Sequence, residues 1–107
     1  MKIHPLVEKK DLPGLPKELQ QDFRSLFVPI LQIEPHRCQG LPCHKLEREL
    51  KGWQALEIDE CGVAYRLVYR IYDMPGVMRV DIESFDVHDP AYEKAKERTY
   101  KQRISAK

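Results

Sequence analysis

From Leu19 the apolar residues recur at Leu19, Phe23, Leu26, Phe27, Ile30 and Leu31, the spacing of one buried helical stripe. Pro29 lies inside that stripe. It lacks a backbone donor and clashes with the carbonyl four residues back, which predicts a kink or a break between Phe27 and Pro29. Pro35 closes the segment. Beyond Gly52 the period changes from helical to two. Leu56 and Ile58 alternate with Glu57 and Asp59, then Leu67, Tyr69 and Ile71 with Arg66, Val68 and Arg70, then Met78, Val80 and Ile82 with Arg79, Asp81 and Glu83. The connections, Glu60 to Ala64 and Asp73-Met74-Pro75-Gly76, are short and turn-like. They predict an antiparallel meander with one face on the helices and the other open.

The ends of the chain complete the order of elements. Residues 2–8 read as a short strand through Ile3 and Val7, and Pro5 between them restricts it to a sheet edge. The run from Asp11 to Pro16 reads as a turn into the helix. Residues 35–44 are rich in helix and strand breakers and predict a loop, with a helical turn from His44 to Leu50 before Gly52. At the far end Asp89 is a good N-cap and Pro90 a good first helical residue, so Ala91 to Arg103 predicts a terminal basic helix. The expected fold is α+β: an N-terminal edge strand and one or two helices packed on a curved antiparallel sheet, then a C-terminal helix. Neither a repeat nor a long linker divides residues 1–107, which are expected to form one domain.

Composition narrows the classes that remain. No window approaches the ~20 apolar residues that a membrane helix requires, and Met-Lys-Ile-His-Pro lacks the apolar core of a signal peptide, so a cytoplasmic location without membrane contact is expected. Cys38, Cys43 and Cys61 are odd in number and read as free thiols. His36, Cys38, Cys43 and His44 have poor spacing for a metal, because the adjacent Cys43 and His44 do not easily converge on one ion; neither a metal nor another cofactor is expected. The net charge of +1 hides an uneven distribution: residues 57–89 carry eight acidic and three basic side chains, residues 90–107 two and six. Only the tail offers the basic surface that phosphate binding draws on.

Three segments carry a family likeness. They are Asp11-Leu12-Pro13-Gly14-Leu15-Pro16-Lys17-Glu18-Leu19-Gln20, then Leu50-Lys51-Gly52-Trp53 followed by Tyr65-Arg66-Leu67-Val68-Tyr69-Arg70-Ile71, and last His88-Asp89-Pro90-Ala91-Tyr92-Glu93-Lys94-Ala95 with Arg98. In this order and at these distances the chain resembles the RelE/ParE superfamily of toxins from bacterial toxin–antitoxin pairs. The resemblance implies a cognate antitoxin as partner and cleavage of messenger RNA on the ribosome, in which a ribose 2′-hydroxyl attacks the adjacent phosphate. The ParE branch inhibits DNA gyrase instead, which gives the alternative reading, together with a catalytically silent antitoxin-binding relative.

RNA cleavage of this kind needs a base for the hydroxyl, an acid for the leaving 5′-oxygen and cations for the phosphoryl oxygens. By the resemblance, Arg66 faces the phosphate, His88 transfers a proton and Tyr92 orients or stacks on the nucleotide. Glu57 and Asp59 stand where RNA-cleaving members carry lysines, and Phe85 and Asp86 where they carry Arg or Lys. A carboxylate can still serve as the base, and Glu57 is the candidate. Arg70, on the same face as Arg66, and Lys94 and Arg98 of the tail are candidate RNA contacts. The competing expectation is that the arginines pair with Glu57, Asp59, Asp81 or Glu83 on neighbouring strands.

Overall fold

The computed structural model describes the backbone of residues 1–74 and 77–105, and their side chains except those of Glu49, residues 73–78, His88 and residues 100–105. Five strands form one sheet in the order β1-β5-β4-β3-β2: β1 Lys2–Ile3, β2 Cys43–Lys45, β3 Trp53–Glu60, β4 Val63–Met74 and β5 Val77–Val87. Helices α1 Lys17–Asp22 and α2 Val28–Ile33 precede β2, and α3 His88–Ser105 follows β5. The α+β order expected from the sequence is present. The meander β3-β4-β5 is antiparallel, with Trp53↔Arg70 and Met74↔Val77 among its pairs and a bulge in β5 at Glu83, between Val68↔Ser84 and Tyr69↔Ile82.

The details depart from the expectation in five places. The N-terminal strand is two residues long, and Val7 instead opens a π-helical turn, Val7–Asp11, with its side chain fully buried. β1 pairs parallel with β5, so the sheet is mixed rather than wholly antiparallel. Cys43–Lys45, expected partly as loop and partly as helix, forms β2 against β3; helical geometry is confined to Arg48–Leu50. Leu26 is exposed rather than buried. Finally, the face expected to be open is partly covered by α3.

The helix between Lys17 and Ile33 explains the exposure of Leu26. Its buried residues Leu19, Phe23, Phe27 and Leu31 are four apart, and at 3.6 residues per turn such a row drifts around a helix by about 40° per step. A π-helical turn over Phe23–Phe27, closed by Val28 N–H donating to the Phe23 carbonyl, widens the turn and restores the alignment. It also sits directly before Pro29. The backbone at Val28 stays right-handed helical, so the proline is absorbed without a break.

Two cores follow from the period of the strands. Leu56, Leu67, Tyr69, Val80, Ile82 and Phe85 face α1, α2 and the N-terminal turns, with the Phe85 ring tilted against Phe23 at 5.8 Å and edge-on to Phe27 at 6.0 Å. On the opposite face Trp53, Ala55 and Val68 pack against Ala91 and Ala95 of α3; the small alanines let the helix approach the sheet closely. Left-handed backbone sets the turns at both ends of β3. Cys61 and Gly62 have φ of 50° and 79°, the type I′ hairpin turn that matches strand twist, and Gly52 at 94° allows the bend that starts β3.

The end of β5 is an exposed edge problem, because β1 pairs only with Asp81 and Ile82. Asp11 solves it. Its buried carboxylate accepts from Phe85 N–H at 3.0 Å, from the Arg98 guanidinium at 2.8 and 3.0 Å, and from Lys94 Nζ at 3.0 Å. Arg98 also donates to the Glu83 carbonyl at 2.6 Å, and Lys94 to Asp86 at 2.5 Å. One side chain thereby ties the N-terminal turns, the sheet edge and α3 together.

Candidate active site

The β3–β4 register sets Glu57 directly opposite Arg66, and the β2–β3 register sets His44 opposite Ala55, one pleat from Glu57 on the same face. Tyr92, on the second turn of α3, reaches the same place from above. The four polar groups converge. Arg66 Nη2 lies 3.2 Å from Glu57 Oε1, and His44 Nδ1 lies 3.5 Å from Glu57 Oε2. His44 Nε2 lies 3.5 Å from Tyr92 Oη, and the Arg66 guanidinium acts on the same phenol. Burial pushes the Tyr92 phenol up from its ordinary value, and the nearby Arg66 guanidinium works against that push.

Exposure is graded across the cluster. The Arg66 side chain is only 12% exposed, whereas Glu57 is 35% and His44 44% exposed, so solvent or a ligand meets the carboxylate and imidazole first. Arg66 donates from Nη1 to the Tyr65 carbonyl at 2.8 Å, which fixes the plane of the guanidinium, and its Nε is buried without a partner. Beside the cluster opens a cleft of about 500 Å³ lined by His44, Leu46, Arg48, Asp89, Tyr92 and Lys96. A carboxylate, an imidazole and a guanidinium gathered in one cluster can take a proton, return one and hold an anion.

Of the residues singled out in the sequence, Glu57, Arg66 and Tyr92 are thus brought together. The competing expectation of an arginine–carboxylate pair is realised in the same contact, Arg66 with Glu57. His88 opens α3, and its side chain lies outside the described residues. Arg70 shares the face of Arg66, but Val68 between them is buried under α3, so the two are not one surface. Its guanidinium instead lies over Trp53 at 5.7 Å and Tyr72 at 4.6 Å. Lys94 and Arg98 are turned inward to Asp11, and Arg98 is 5% exposed; the structure does not present them to an RNA. The reason is the buried carboxylate, which would be left unmatched without them.

His44 was not among the candidates read from the sequence. Its signal was weak, because a three-residue strand between breakers shows no alternation of its own. Among the described residues no group of three or more His, Cys, Asp or Glu is arranged to hold a metal ion, and no helix is long and apolar enough to cross a membrane. Comparison with protein-family models, with curated proteins and with solved structures finds no match to this chain.

Proposed function

We propose that this chain is the toxin of a type II toxin–antitoxin pair, a RelE-like endoribonuclease that cleaves messenger RNA in the cytoplasm. The observation that carries the reading is the convergence of Glu57, His44, Arg66 and Tyr92 beside a cleft that His44 and Tyr92 line. Glu57 takes the proton of the ribose 2′-hydroxyl, whose oxygen attacks the adjacent phosphorus. Arg66 holds the charge that grows on the phosphoryl oxygens. His44, as imidazolium, gives its proton to the departing 5′-oxygen, and Tyr92 keeps the imidazole oriented and offers a ring to the flanking base. The products are a 2′,3′-cyclic phosphate and a free 5′-hydroxyl. The motif order quoted above supplies the toxin–antitoxin context and an antitoxin as partner. Because Arg66, Lys94 and Arg98 are engaged internally, most of the grip on the RNA falls to the ribosome.

That same engagement of cations favours one other reading, a ParE-like inhibitor of DNA gyrase, for which no phosphate need be held. Induced expression in a bacterial host with mapping of transcript 5′ ends separates the two. New cuts should appear with the parent chain and fall about 10²–10⁴-fold in rate for Glu57→Gln and for His44→Ala, the usual worth of a general acid or base. Growth arrest with intact transcripts and gyrase-dependent DNA damage would overturn the nuclease reading. His88→Ala in parallel tests the proton-transfer role that the resemblance implies for it.

A further inference from the structure

Cys38 and Cys43 lie on the other side of the sheet from the cleft. The register puts Cys43 beside Leu56, on the face that carries Tyr69 and the main core. Cys38 is fully buried beneath it, with Sγ 3.1 Å from Tyr69 Oη and 3.6 Å from the Pro35 carbonyl oxygen. Tyr69 Oη donates to that same Pro35 oxygen at 2.7 Å. The next carbonyl along the chain, that of His36, accepts from Cys43 Sγ at 3.5 Å and from Gln54 Nε2 at 3.4 Å. The two thiols therefore hang from consecutive carbonyls of one turn, at the two ends of the loop Cys38-Gln39-Gly40-Leu41-Pro42-Cys43. They lie near enough for Cys43 to act on the ionisation of Cys38. Cys38 and Gln39 have φ of 51° and 49°, so the loop is wound tightly enough to bring its ends together. Cys61, the remaining cysteine, is exposed at the β3–β4 turn and apart from them.

We propose that Cys38 and Cys43 are a redox modification site, forming a reversible intramolecular disulfide with a small disulfide oxidant such as oxidised glutathione. Cys43 is the half-buried member and attacks first. Its thiolate displaces one glutathione thiolate from oxidised glutathione and forms a mixed disulfide. Cys38, after losing its proton to solvent, then attacks the Cys43 sulfur and expels the second glutathione thiolate. Two protein thiols and one glutathione disulfide give one protein disulfide and two glutathione thiols. Burial pushes the Cys38 thiol up to about 12, so the second step is the slow one and quickens as pH rises. Bond formation draws in the start of β2, the strand whose next residue is His44. An effect on RNA cleavage rests on the function proposed above; the disulfide itself does not.

The experiment uses the full chain carrying Cys61→Ser, incubated folded with oxidised glutathione, then denatured, alkylated and cut with trypsin. Cleavage after Arg37 and Lys45 leaves Cys38 and Cys43 in one peptide. The expected peptide carries no alkyl group and is about 2 Da lighter than the dithiol, the two thiol hydrogens having left. Dithiothreitol should restore both alkylation sites, and Cys43→Ser should leave Cys38 alkylated. A product that stops at glutathionylated Cys43 with Cys38 free, or a peptide alkylated at both positions, would overturn the proposal.

Discussion

At the scale of single residues the most informative group is Glu83. It is 4% exposed, and its Oε2 is buried without a partner. Burial, reinforced by the charge of Asp81, raises its pKa from 4.5 to about 7, while Arg98, Arg70 and Lys2 pull the other way. The folded chain thus binds this proton more tightly than the unfolded chain. The stability it contributes is fully present below about pH 4.5 and is lost as pH rises through about 7, by roughly 3 kcal/mol at about 1.4 kcal/mol per pKa unit. Glu83→Gln removes the ionisation but keeps the shape. Urea denaturation should find the variant close to the parent at pH 5 and more stable by about 1–3 kcal/mol at pH 8. A difference that does not change with pH would show that the carboxyl is not the source.

At the scale of elements, α3 is held by two unlike devices: the Ala91 and Ala95 contact on the sheet, and the Asp11 ion pairs at its second and third turns. For Asp11, burial alone would raise the pKa, yet hydrogen bonds from Arg98, Phe85 N–H and Lys94 outweigh it and hold the carboxyl below its ordinary value. Its contribution is therefore present at neutral pH and lost only in acid. Asp11→Ala strands the buried Arg98 and the Phe85 N–H and should cost roughly 3–5 kcal/mol in chemical denaturation. Lys94→Met, which leaves the Asp11–Arg98 pair in place and removes a partly exposed ammonium, should cost about 1 kcal/mol or less. Equal costs would mean that the latch is not centred on Asp11. None of this was legible in the sequence, since Asp11 and Arg98 are 87 residues apart, Asp11 reads as the start of a turn and Arg98 as a candidate RNA contact. The meander was legible because apolar and polar residues alternate along its strands, even though Val80 to Phe85 are buried on both faces. The site was half legible: Glu57 and Arg66 are opposite each other once those strands are paired, whereas His44 needed β2, too short to leave a pattern.

For the whole molecule, the distribution of charge decides how it can meet RNA. A net charge of +1, with Arg66, Lys94 and Arg98 each within ion-pair distance of a carboxylate, keeps these three from releasing counterions from a phosphate chain. A single-stranded RNA gains a slope of about −0.7 in log K against log salt for each phosphate neutralised. One or two contacts at the Glu57 cleft therefore give a slope between about −0.7 and −1.4 for the isolated protein. Fluorescence anisotropy of a short labelled RNA titrated at several salt concentrations measures this directly. A shallow slope with weak affinity fits a chain that acts on RNA already held by a larger particle. A slope near −4 would require about six phosphate contacts. That would mean that the RNA is also gripped outside the cleft, by exposed cations such as Lys45, Arg48 and Lys51 or by Lys94 and Arg98 released from Asp11, and Lys45→Ala with Lys51→Ala would tell the two apart by lowering the slope only in the first case.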